Sequence, residues 1–86
     1  MRYTVLWTPP AEEGLAAVWL RSEDRRQVTL AAHAIDAALR EDAQQRGESR
    51  AGRVRILFAP PLGAKFEVLA EDRLVYVLGV WAIRNA

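Results

Sequence analysis

The spacing of apolar residues changes once along this chain of 86 residues, and that change limits the folds open to it. Between Pro9 and Gly47 apolar side chains recur at helical spacing. Leu15, Val18 and Trp19 mark one stripe; Val28, Ala31, Ala32, Ile35, Ala38 and Leu39 mark a second. After Gly52 the period becomes two. Val54, Ile56 and Phe58 alternate with Arg53 and Arg55, then Phe66 and Val68 with Lys65 and Glu67. The opening Arg2 to Trp7 is β-branched and aromatic and predicts a strand with Tyr3, Val5 and Trp7 on one face. Arg73 to Ile83 is apolar on both faces and predicts an interior strand, with Val75, Val77, Trp81 and Ile83 opposite Leu74, Tyr76, Leu78 and Val80.

Local signals punctuate these segments. Thr8-Pro9-Pro10 ends the first strand and opens a helix, because proline is tolerated in the first turn. Ser22-Glu23-Asp24 predicts a second helix start, with the Ser22 hydroxyl as cap and two acids in the first turn. Ala59 to Gly63 and Ala70-Glu71-Asp72 are turns. The expected fold is α+β, ordered β-α-α-β-β-β, in a single domain over residues 1–86. An N-terminal helical hairpin packs on one face of a small, mainly antiparallel four-stranded sheet.

Composition removes several classes of function. There is no Cys and one His, which excludes disulfide frameworks, thiolate zinc sites and cysteine nucleophiles and argues against a histidine metal site. No metal or cofactor is expected. The sequence lacks the roughly 18 apolar residues a membrane span needs and a secretory signal, so a cytoplasmic protein without a membrane partner is expected. The formal net charge of +1 hides an asymmetry. Residues 1–48 carry six basic and eight acidic side chains, and residues 49–86 carry six and three. Since the helical hairpin can cover only one sheet face, the alternation predicts Arg53, Arg55, Lys65 and Glu67 on the other. Such a cationic face suits an anion. His33 is expected as a partly buried helix residue, and Trp7, Trp19, Trp81 and Tyr76 as packing or interface anchors.

The element order, the run Arg53 to Phe58 before a turn containing Gly63, the strand Phe66-Glu67-Val68 before Glu71-Asp72, and the final Val77 to Arg84 together resemble the RelE/ParE superfamily of bacterial type II toxins. The resemblance covers nearly the whole chain. It implies a toxin held inactive by a cognate antitoxin whose C-terminal segment folds on binding.

Two activities are known in that family. RelE-like members cleave mRNA on the ribosome without a metal, using the 2′-hydroxyl as nucleophile; ParE-like members inhibit DNA gyrase. Some members do neither, which would leave a degenerate chain that only binds its antitoxin. For an mRNA interferase the resemblance implies Arg53, Arg55, Lys65 and Arg84 as phosphate and transition-state contacts, with Glu48 as the acid nearest them. This chain departs from the RelE pattern at two places. Gly63 and Ala64 stand where a central Arg is usual, and Trp81 stands where many relatives carry His.

Overall fold

The computed structural model describes residues 2–83. The order is β1 (Thr4–Trp7), α1 (Pro9–Arg21), α2 (Arg25–Asp42), a 3-10 turn (Ala43–Gln45), β2 (Glu48–Ala51), β3 (Val54–Ala59), β4 (Leu62–Leu69), a 3-10 turn (Ala70–Asp72) and β5 (Leu74–Ala82). The expected α+β architecture is present, with one addition. The segment after α2 forms a short edge strand, so the sheet has five strands in the order β1-β5-β4-β3-β2. Only β1 runs parallel to its neighbour, β5; the other pairings are antiparallel.

Each helix start follows from local chemistry. Thr8 caps α1: its hydroxyl accepts from the Ala11 N–H at 3.4 Å and donates to the Val77 carbonyl at 2.7 Å, which ties the helix start to β5. Asp24, not Ser22, caps α2 by accepting from the Gln27 N–H at 3.3 Å. Ser22 instead ends α1, its N–H donating to the Trp19 carbonyl. A hydroxyl two residues too early cannot reach the first free N–H groups, so the aspartate takes that role.

The helices cover one face of the sheet. Val28, Ala31, Ile35 and Leu39 of α2 meet Val5, Leu57, Ala64, Phe66, Val75 and Val77 in the core. Phe66, Ile35, Leu39 and Leu62 are fully buried. Helix α1 lies against the backbone of β5. A side chain at Gly14 would collide with the Val80 carbonyl oxygen, so a larger residue there would lift the helix off the sheet.

Two alternation patterns differ from the expectation. In β3 it is Leu57 and Ala59 that pack with the core, opposite Ala64 and Leu62. Val54, Ile56 and Phe58 therefore face away from the helices, and Arg55 shares the helix side. In β5 the register against β4 shifts between Lys65 and Phe66, which leaves Leu78 as an extra residue. The bulge reverses the alternation beyond it. Val80 joins the core, and Trp81 moves to the uncovered face.

Candidate functional site

The face of the sheet left uncovered by the helices is mostly apolar. Paired residues on adjacent strands share a face, so the rows can be followed across the sheet. Leu6, Tyr76, Glu67 and Val54 form one row. Gly79, Lys65, Ile56 and Glu48 form the next. Trp81, Gly63 and Phe58 form the third. Phe58 is 54% exposed and Leu6 43%. Tyr76, Trp81 and Ile56 are partly exposed.

The third row has a built-in geometry. A side chain at Gly63 would begin 2.6 Å from the Trp81 ring, so the indole lies over the glycine and buries it. The neighbouring Gly79 has nothing within 4 Å of the corresponding position. Lys65 therefore stands beside an open notch between Trp81 and Tyr76. It forms no ion pair among the described residues.

The five expected site residues are not gathered on this face. Lys65 is on it. Arg55 is not: its Nε donates to the Arg46 carbonyl at 2.7 Å and its Nη2 to the Gly47 carbonyl at 3.0 Å. This corrects the expected face. The long guanidinium reaches the chain that follows α2 and its 3-10 turn, and holds two successive carbonyls there. Arg53 sits in the two-residue turn between β2 and β3, exposed. Glu48 is in β2 and is bridged by Arg50 at 3.2 Å. Arg84 lies outside the described residues.

Arg53 and Arg55 border a polar cleft of about 410 Å³ that also contains Glu71 and Asp72. Two acids beside two cations make a balanced cleft, in place of the expected cationic surface. His33 is exposed, not partly buried. Among the described residues there is no group of three His, Cys, Asp or Glu that could hold a metal ion, and no helix is long and apolar enough to cross a membrane.

No family model and no curated protein matches the sequence. Solved structures do match the fold. A chain of the toxin–antitoxin complex RelBE2 from Mycobacterium tuberculosis superposes with a TM-score of 0.78 at 16% identity, covering 96% of this chain and 100% of that one. A chain of the chromosomal ParDE system of P. aeruginosa gives 0.66 at 19% identity, over 96% and 98%. The chain shares the fold of these two toxin–antitoxin chains. The conserved hypothetical protein HP0892 of Helicobacter pylori shares it, with a TM-score of 0.59 at 10% identity over 93% of each chain. Among the described residues the uncovered sheet face is apolar and aromatic around Lys65, with Glu67 and Glu48 beside it. The signal in the sequence was the exposed Phe58 and the second apolar face of the last strand.

Proposed function

We propose that this chain is the toxin of a type II toxin–antitoxin pair and that it arrests growth by docking a protein target on the uncovered sheet face. The supporting observation is the composition of that face among the described residues: Leu6, Phe58, Tyr76 and Trp81 exposed or partly exposed around Lys65. Contiguous apolar surface rimmed by polar groups suits a protein partner. Cleavage of RNA needs several cations converging on one phosphate, and Arg55 is committed to backbone carbonyls on the other side of the sheet. This favours the ParE-like reading, with DNA gyrase as the target, over the mRNA interferase. The antitoxin would be the second protein partner.

The test is induction of the chain in a bacterial host without the antitoxin, with DNA and protein synthesis followed in parallel. DNA synthesis should stop first, and purified protein should inhibit gyrase supercoiling. Phe58→Ser should abolish the arrest while leaving thermal stability unchanged. If protein synthesis stops first, the toxin is a ribonuclease, and Lys65, Arg53 and Arg84 become the residues to exchange. If neither stops, the chain is a member that only binds its antitoxin.

A further inference from the structure

Two glycines stand on the uncovered sheet face, in adjacent rows of adjacent strands: Gly63 on β4 and Gly79 on β5. Gly63 pairs with Trp81, and Gly79 pairs with Lys65. The first is buried beneath the Trp81 ring, which lies 2.6 Å from where a Cβ would stand. The second is partly exposed, and among the described residues no atom lies within 4 Å of the corresponding point.

Nothing inside the fold calls for a glycine at position 79. Its φ is outside the left-handed region, unlike those of Gly47 and Gly52. The register shift beside it is therefore not the kind of bulge that needs a left-handed glycine. No neighbour excludes a Cβ, as neighbours do at Gly14, Gly47 and Gly63. A glycine inside a strand weakens it, through backbone entropy and missing packing, and a β-branched residue would serve β5 better. The bare backbone is thus surplus to folding.

Gly63 shows what such a patch accepts. A ring laid over a strand glycine covers the backbone that a side chain would have shielded. At Gly63 the ring comes from the same chain. At Gly79 there is room for one from outside. Tyr76 and Trp81 stand on either side along β5, both partly exposed. The stem of the exposed Lys65 forms the wall on the β4 side, and its ammonium is attracted to a ring face.

We propose, resting on the reading that a protein target docks on this face, that Gly79 is the seat for an aromatic side chain of that target. The face is then read by one inserted ring held between Tyr76 and Trp81, the arrangement of a binding hot spot.

Gly79→Val fills the seat. It should abolish growth arrest while its urea midpoint stays equal to or above the parent's, since valine suits a strand. Retained arrest in Gly79→Val beside lost arrest in Phe58→Ser overturns the seat and leaves docking on the face standing. Retained arrest in both variants removes the docking reading itself, and the seat with it. A lowered midpoint in Gly79→Val overturns the inference too, because the fold would then need the glycine. The ring is tested apart from any target, by nuclear magnetic resonance of the full chain. N-acetylphenylalaninamide at up to about 20 mM, a range suited to one weakly held side chain, should move the Gly79 α-protons upfield and shift the Lys65 amide. N-acetylleucinamide should leave both in place, and in Gly79→Val the Lys65 amide should not respond. No upfield shift with the aromatic amide overturns the aromatic occupant.

Discussion

The guanidinium of Arg55 and the carbonyl of Gly47 are joined at 3.0 Å, and this contact fixes how the chain passes from the helical layer to the edge of the sheet. Gly47 has a φ of +67° and sits where a side chain would collide with the Ile56 carbonyl oxygen. The turn therefore needs a residue without a Cβ, and its carbonyl needs a charged donor.

Arg55→Ala should destabilise the protein by about 1–2 kcal/mol, the loss of two hydrogen bonds from a charged donor. Arg55→Lys should recover only part, because an ammonium cannot span both carbonyls as a planar fork does. Gly47→Ala should cost more than about 2 kcal/mol through its left-handed backbone and the collision. Urea unfolding of the three variants measures the order.

Gly63→Ala should displace the Trp81 ring without emptying the core. The added methyl would lie 2.6 Å from the indole, on the uncovered face. The expected result is a changed near-ultraviolet circular dichroism spectrum and weaker target binding, with a stability loss of about 1–2 kcal/mol. An unchanged tryptophan signal would contradict the stacking.

Asp36 accepts from the Trp7 indole at 3.0 Å and from Arg40 at 2.6 Å. Burial alone would raise its pKa, but the hydrogen bonds from Arg40 and Trp7, with the charges of Arg40 and His33, outweigh it and hold it below the usual 3.8. Its ionised form is favoured by folding. The stability this gives is therefore present above about pH 3.8 and lost as the pH falls through the lower folded value. Asp36→Asn should cost about 1 kcal/mol at neutral pH, and the gap to the parent should close in acid. Denaturation followed by tryptophan fluorescence at both pH values tests this.

Arg53 separates the two functional readings, and Lys65 tests the uncovered face itself. Lys65→Glu should abolish growth arrest under either reading, since it inverts the charge in the middle row of the uncovered face. Arg53→Gln should leave arrest intact and stability within about 0.5 kcal/mol, as expected for an exposed turn residue. Loss of arrest in Arg53→Gln, with the protein folded, would return the site to RNA chemistry.

The order of elements was legible because each carries its own period. Tyr3 and Val5 are buried as their alternation requires, and Val28, Ala31, Ile35 and Leu39 form the buried stripe of α2. The sides of the sheet were harder to read. In β3, Val54, Ile56 and Phe58 compete with Leu57 and Ala59 for the core, and alternation has no sign when both sets are apolar. The tie is decided by tertiary contacts, Leu57 with the helices and Arg55 with the end of the helical layer. In β5 a single extra residue at Leu78 reversed the parity of Trp81. Strand β2 was missed because Glu48-Ser49-Arg50-Ala51 has little intrinsic preference for a strand and is extended by pairing with β3. The face expected for Arg55 inherited these slips, since it was read from parity alone.

Thr8 and Val77 are hydrogen-bonded although they are 69 positions apart. During vectorial synthesis the first strand and helix thus leave the ribosome long before the strand they are meant to join exists. Until β5 has cleared the exit tunnel, Val5 and the inner side of α1 have no sheet to cover, and no uncovered face has been assembled. The sheet therefore closes late, when β5 becomes available to both Val5 and Thr8.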